Sequence, residues 1–400
     1  MKIALTTHQL DAVGGISQFS LDLGSELAAR GHEVAIVAFA RGSGWERLTE
    51  AGISGVCLER GRNESVYQYT HRAAHVLERS GFDVIVNNID ERNLSGQRCL
   101  RFLPARMPRL AVLHSVRPHV FCVTAVNQRA CDALVAVSPA VQAAAAARLP
   151  GCPTSVIPNG VRCPAADDLA QRSDWATPMR LLFVGRLVNR SKHIVLLPEI
   201  LSTCLNAGIR ATMTIVGDGE DRQLLEAAID AHGVRQWVEL RGLQAPAAVY
   251  RAMQRHHVLL LPSIFEGLPL VLLEAQANGC VPVASRLPGS TDVALADGVT
   301  GLLAPCGDVD AFARQIGRLA DCDRWRSFSH AAVDRAHAES TVTVMGGRYH
   351  RLLSELTAGA DDLAQRRGRP DPLSTLFTWG DFLPPSLRTR LGRLRRKLSL

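Results

Sequence analysis

Short apolar runs alternate with stretches of helical spacing along this chain, and glycine, proline or asparagine marks the turns between them. Residues 2–6 open the series. A helical pattern covers about 17–30, Gly31 ends it, and residues 32–37 are strand-like. The chain therefore begins with a βαβ unit whose first loop holds the pair Gly14-Gly15. Residues 82–86 and 110–113 have the continuous apolar character of strands buried on both faces, separated by helical stretches near 65–80 and 94–103. Residues 133–137 follow, then the turn Ser138-Pro139 and an alanine-rich helix over 140–148. This alternation predicts an α/β fold, a parallel sheet with helices on both faces.

Residues 162–178 break the rhythm. Pro164, Pro178 and several acidic side chains replace large apolar ones, which suits a solvated segment between domains. Strand-like runs then resume at 180–184, 212–216, 238–242 and 258–261. The last of these stops at Pro262, and Gly267 with Pro269 bends the chain into an amphipathic segment ending at Asn278-Gly279, giving strand, tight loop, helix. Short strands and turns are expected over 285–303, and one or two long helices over 331–356.

Four hundred residues exceed what one core usually spans, so two domains are expected. At 47% hydrophobic and 21% charged, the chain is globular. Its ten cysteines show no Cys-x-x-Cys pair or regular spacing and are expected to be reduced, in a cytosolic compartment. Neither a signal-peptide core nor a run of about 18 apolar residues is present. The net charge of +7 does not indicate nucleic acid, because five of those charges lie in the tail: Arg388, Arg390, Arg393, Arg395, Arg396 and Lys397 against Asp381. Leu387, Leu391, Leu394 and Leu398 fall on one helical face among those cations. Such a helix suits an anionic membrane surface, and the alternative is a solvated tail.

Glu266 lies in the loop after residues 258–261 and Glu274 in the helix beyond it, near backbone N–H groups left free at a helix start. Amides suit a phosphate, whereas carboxylates accept hydrogen bonds from hydroxyls. A nucleotide-sugar offers both. Gly185-Arg186 and Lys192 place two cations beyond residues 180–184, where they can neutralise a diphosphate. Gly217-Asp218-Gly219 lacks the third glycine of a dinucleotide fingerprint, Arg222 standing there instead. His114 follows a buried strand at the edge where open α/β sheets hold ligands. His71 and His75 have the spacing of a metal pair but no third ligand, and an exposed helical face is expected. Asp308 and Asp321 each precede a helical run and are expected as caps rather than metal ligands. Trp45, Tyr67 and Tyr69 either border an acceptor or pack.

Phe265-Glu266-Gly267-Leu268-Pro269, with Glu274 eight residues after the first Glu, resembles the donor-binding signature of the retaining family 4 glycosyltransferases. Gly14-Gly15, Pro158-Asn159-Gly160-Val161 and Gly185-Arg186 with Lys192 extend the resemblance over about residues 1–357. One departure is His193, where the family often has Gly. The resemblance implies a GT-B fold, two Rossmann-like parallel-sheet domains facing a central cleft. It implies an acceptor-side domain at 1–163, a linker at 164–178, a nucleotide-sugar domain at 179–337, a crossover helix at 338–357 and a basic tail at 358–400.

It further implies transfer of a sugar from a nucleotide-diphosphate sugar, UDP favoured and GDP open, to a glycan or lipid-linked hydroxyl with retention, in cell-surface polysaccharide or lipopolysaccharide synthesis. His114, Glu266, Arg186 and Lys192 are the expected catalytic residues. Gly14, Gly15, Gly185, Gly217, Gly242, Gly267, Leu268, Pro269, Leu270 and Glu274 join Glu266, Arg186 and Lys192 in donor binding. No cofactor or metal is expected, and no nucleic-acid partner. The expected place is cytoplasmic, peripheral on the inner face of the membrane through Leu387, Arg388, Leu391, Arg395 and Lys397. The alternatives are a nucleotide-sugar epimerase of the same fold and a non-catalytic sugar-nucleotide-binding subunit.

Overall fold

A computed structural model describes residues 1–89, 92, 97–127, 130–165, 169 and 174–366. Among these described residues thirteen strands form two sheets, and every pairing within them is parallel. The first comprises β1 (Lys2–Gln9), β2 (Glu33–Ala40), β3 (Ser54–Cys57), β4 (Val84–Asn88), β5 (Arg109–Leu113), β6 (Ala133–Ala136) and β7 (Thr154–Val156), in the order β3-β2-β1-β4-β5-β6-β7. The second comprises β8 (Met179–Val184), β9 (Ala211–Val216), β10 (Val238–Gly242), β11 (Val258–Leu261), β12 (Val281–Ser285) and β13 (Leu302–Ala304), in the order β10-β9-β8-β11-β12-β13. Central strands such as β5 and β11 are buried at every position, as parallel strands covered on both faces must be.

Both sheets reverse direction once. The chain builds outward from β1 to β3 and then returns to lay β4 on the other side of β1; it does the same from β8 to β10 before β11. Loops leaving the carboxyl ends of β1 and β4, and of β8 and β11, therefore diverge and leave a crevice, where open α/β sheets bind ligands.

Two compact bodies result. One contains Met1–Val137, Gln142–Ile157 and the chain from Gly346, and the other Ser138–Val141 and Pro158–Met345. Phe183, Met213, Ile200, Phe312 and Trp325 centre the core of the second body. In the first, Phe39, Tyr69, Leu77 and Ile85 pack together. The long helix Val342–Ala358 docks in the first body through Tyr349, fully buried, whose ring centroid lies 5.9 Å from that of Phe19. His350 Nδ1 lies 2.8 Å from His32 Nε2 on the same docked face.

Local signals explain several helix ends. Ser65 Oγ accepts from Gln68 N–H while Gln68 Oε1 accepts from Ser65 N–H, a reciprocal cap that starts Val66–Arg79. Asp308 and Asp321 accept from Ala311 N–H and Arg324 N–H, each at 2.8 Å, and so cap Val309–Arg318 and Cys322–Glu339.

Candidate functional site

In the second body the loops after β8 and β11 carry the expected cations and carboxylate. The β8 loop is laced to its neighbours by backbone bonds: Gly185 N–H donates to Val216 O at 3.0 Å, and Leu187 N–H donates to Asp218 O at 3.0 Å. Asp221 accepts from Asn189 N–H at 2.6 Å, at the first residue of the short helix Asn189–Lys192. Ser191 O then accepts from Ile264 N–H at 2.8 Å, which ties this loop to the one after β11. The result is an ion pair across the sheet reversal. Lys192 Nζ lies 2.6 Å from Glu266 Oε1, with 20% and 11% of the two side chains exposed. Arg186 is exposed, and no described residue pairs with its guanidinium.

Gly185, Gly217 and Gly242 line the carboxyl ends of β8, β9 and β10 with bare backbone. Gly217 N–H donates to Gly242 O at 2.8 Å, and Gly217 has φ +140°. A Cβ there would fall 1.8 Å from Gly185 O, so only glycine permits this approach. His193 has φ +50°, the one positive φ at a non-glycine among the described residues. Its N–H donates to Asn189 O at 2.9 Å, so the loop makes the left-handed turn despite the substitution.

The helix Leu270–Ala277 starts at Pro269 with no side-chain cap, so its first amides are not occupied by a capping side chain. Pro269 itself has no N–H, and the amides available near this turn belong to Gly267, Leu268 and Leu270. Glu266 precedes the helix as expected. Glu274 lies in its second turn rather than at its start, on the less buried face shared with Leu270 and Val271, and its Oε1 accepts from Tyr250 O–H at 3.4 Å.

In the first body Gly14 has φ +151° and ends the loop from β1, and Gly15 opens the helix Gly15–Ala29. A Cβ on Gly14 would meet nothing within 4 Å, so the backbone conformation, not space, calls for glycine. The Arg47 guanidinium braces this loop by donating to Ala12 O at 3.1 Å and to Gln18 Oε1 at 2.5 Å. His114 stands just past β5, its Nε2 2.9 Å from Asn88 Oδ1 and its ring edge-on to Phe19. Sequence reasoning missed Asn88, Tyr250 and Arg47. The signal for Asn88 is the amide pair Asn87-Asn88 directly after the apolar run 82–86; β4 includes both residues.

One expectation changes. His71 is half-buried, not exposed, packed 4.4 Å from the Tyr67 ring and 4.2 Å from Phe102, and burial lowers its pKa. Tyr69 is a core residue whose O–H donates to Phe39 O at 3.2 Å, and Trp45 packs on Gly55. Among the described residues no helix is long and apolar enough to cross a membrane. The tail with Leu387, Arg388, Leu391, Arg395 and Lys397 lies outside the described residues.

Two family models match consecutive parts of the chain: Glycosyltransferase Family 4 over residues 13–163 and Glycosyl transferases group 1 over residues 178–322. A Campylobacter jejuni α-1,4-N-acetyl-D-galactosaminyltransferase, named for a diNAcBac-PP-undecaprenol-linked glycan, is 25% identical over 82% of this chain and 90% of its own length. A D-inositol 3-phosphate glycosyltransferase of Acidothermus cellulolyticus is 32% identical over 55% of this chain and 51% of its own. Among solved structures, the Anabaena protein HepE in complex with UDP and glucose superposes with a TM-score of 0.74 at 20% identity, covering 89% of this chain and all of that one. Its likeness shows the fold. With both sheets, their reversals and both family models in agreement, the chain belongs to the family 4 glycosyltransferases of GT-B fold.

Proposed function

We propose that this enzyme moves a sugar from a nucleoside-diphosphate sugar, UDP favoured, to a hydroxyl of a glycan or lipid-linked acceptor, with retention, in cell-surface polysaccharide or lipopolysaccharide synthesis. The observation that carries the reading is the Lys192–Glu266 pair at the reversal of the second sheet. A cation held against a carboxylate suits a ligand that brings phosphate and hydroxyls together. Lys192 turns to the diphosphate, Arg186 supplies a second, forked contact, and Glu266 is released to the sugar hydroxyls. Amides of Gly267, Leu268 and Leu270 face the phosphates, Glu274 accepts from the ribose, and Gly217 and Gly242 give the base and ribose an unobstructed backbone edge. Gly14 and Gly15 do the same on the acceptor side. His114 is assigned to the donor sugar on the family resemblance.

In the reaction the bond from the anomeric carbon to the diphosphate oxygen breaks, and the acceptor oxygen bonds to that carbon. The leaving phosphate takes the acceptor's proton. The fixed cations and amides stabilise the charge that accumulates on the diphosphate, a task for which no metal is needed. The names of relatives support the acceptor class: one acts on an undecaprenol-linked glycan and another is assigned to colanic acid synthesis in Escherichia coli. HepE in complex with UDP-glucose supports the donor class. The proposal includes a cytoplasmic site of action at the inner membrane face, reached through the basic tail.

A thermal-shift screen against UDP-, GDP- and ADP-sugars tests the donor. A ligand at about 100 times its Kd adds about 2.7 kcal/mol. A shift with UDP-sugars supports the reading, a shift with another nucleotide alone corrects the base, and no shift with any refutes the donor site.

A further inference from the structure

We infer that Asn88 is a positioning residue that fixes the tautomer and ring plane of His114, with Ser20 fixing Asn88 in turn. The inference rests on the assignment of His114 to the reacting sugar. It starts from three groups in the first body, at the crevice where its sheet order reverses. Asn88 ends β4 and is 1% exposed; its register partner on β5 is Val112, two residues before His114. Ser20 lies on the helix Gly15–Ala29 and is fully buried.

The hydrogen bonds between them run in one direction. Ser20 O–H donates to Ile16 O at 2.8 Å, so its oxygen is left to accept, and Asn88 Nδ2 donates to it at 3.2 Å. The Asn88 amide is thereby turned with Oδ1 toward His114, whose Nε2 lies 2.9 Å away. An amide oxygen only accepts, so Nε2 carries the proton and, in the neutral ring, Nδ1 is the accepting nitrogen. The ring is also held sideways, with its centroid 4.8 Å from that of Phe19 at 73°. A hydroxyl that meets the other nitrogen of His114 then finds an acceptor of known direction rather than a mixture of donor and acceptor.

A buried amide oxygen needs a donor, and Asn88 takes its donor from an imidazole just past the end of β5. The neighbouring Asn87 makes the contrast: its Oδ1 accepts from Thr6 O–H at 2.7 Å, strand to strand within the sheet.

The test compares wild type, His114→Ala, Asn88→Ala and Asn88→Asp in the full chain. With 15N-labelled histidine, the resonances lost in His114→Ala identify that ring, and the wild type should show Nε2 protonated and Nδ1 not. Asn88→Ala should lower the share of rings protonated at Nε2, free the ring plane, and lower kcat about tenfold to a hundredfold at nearly unchanged donor KM. Asn88→Asp, which keeps an accepting oxygen and adds a charge that favours the imidazolium, should keep Nε2 protonated and raise the pH at which this ring titrates. Wild-type Nδ1 protonation, or an Asn88→Ala kcat within about twofold of wild type while His114→Ala is slow, overturns the inference. Should His114→Ala itself transfer normally, the assignment of His114 fails and takes this inference with it. If Asn88→Ala does not fold, the wild-type tautomer and Asn88→Asp decide.

Discussion

Replacing Lys192 by alanine does two things at once, and a mutant cycle with Glu266 separates them. The two charges are 2.6 Å apart on side chains that are 20% and 11% exposed, so solvent screens them only partly. Unit charges about 4 Å apart at an effective dielectric of about 20 interact by roughly 4 kcal/mol, an upper guide to what a diphosphate would feel from either partner. Lys192→Ala removes a charge-assisted hydrogen bond to the diphosphate, worth about 1.5 to 3 kcal/mol. It also strands the Glu266 carboxylate beside an incoming anion. UDP should therefore bind about tenfold to a few hundredfold more weakly. Glu266→Gln keeps the shape, removes the repulsion and frees Lys192, so UDP should bind as well as before or up to about tenfold more tightly. Transfer should fall nonetheless, because the sugar loses a charged acceptor. In the double variant the stranded charge is gone, and part of the loss should be recovered, with a coupling of about 1 to 2 kcal/mol. Isothermal titration with UDP gives the binding side of the cycle, and initial rates with the donor give the other. Strictly additive binding energies, or weaker UDP binding in Glu266→Gln, would refute the arrangement in which Lys192 serves phosphate and Glu266 does not.

Three other outcomes are expected. His257 is fully buried between the Trp175 and Trp325 rings; burial first and Arg180 second push its pKa from 6.5 down to about 4. Since the folded value lies below the unfolded one, this contribution is complete above pH 6.5 and is lost as pH falls toward 4, by roughly 3 kcal/mol; urea unfolding of wild type and His257→Leu at pH 7 and 4.5 should show a smaller pH slope in the variant, and equal slopes would contradict this. Transfer should survive EDTA, and a full loss restored by manganese or magnesium would show that the cations and amides do not suffice. Deleting residues 373–400 should release the protein from anionic liposomes, each basic residue near the surface being worth about 1 kcal/mol, and equal sedimentation of both forms would remove the membrane from the proposal.

The central strands were legible because parallel strands covered on both faces are continuous apolar runs; Val258–Leu261 is an example. Edge strands carry no such signature. Ser54–Cys57 and Thr154–Val156 are short and partly exposed at the two ends of the first sheet, and nothing in their sequence separates them from loops. The helix Pro118–Asn127 was missed for the opposite reason, since its run of apolar and β-branched residues has no polar face to give it a period. In the site, residue types were legible and partners were not. Lys192 and Glu266 are 74 residues apart, and their meeting depends on Ser191 O accepting from Ile264 N–H, a backbone contact no side-chain pattern encodes. His114 could be placed at a strand end, but its orientation depends on Asn88 and Ser20, whose amide and hydroxyl look like ordinary polar residues until the sheet brings them together.

The same reversal in both sheets also bears on why a half-buried ion pair is kept where it is. Taking two charges partly out of water costs about as much as their attraction returns, so such a pair adds little to stability, and well-packed apolar residues of similar size often serve a fold as well or better. Here the pair sits on loops already joined by backbone bonds and beside glycines that leave the strand ends bare, so stability does not require it. A ligand does. The crevice between β8 and β11 has to present positive charge to one part of its occupant and a carboxylate to another, and before that occupant arrives the two side chains are each other's best partners. On the proposed function, binding exchanges that ion pair for an ionic contact from Lys192 to phosphate and charge-assisted hydrogen bonds from the sugar hydroxyls to Glu266, and what this exchange yields is what the donor can spend on reaching its reactive geometry.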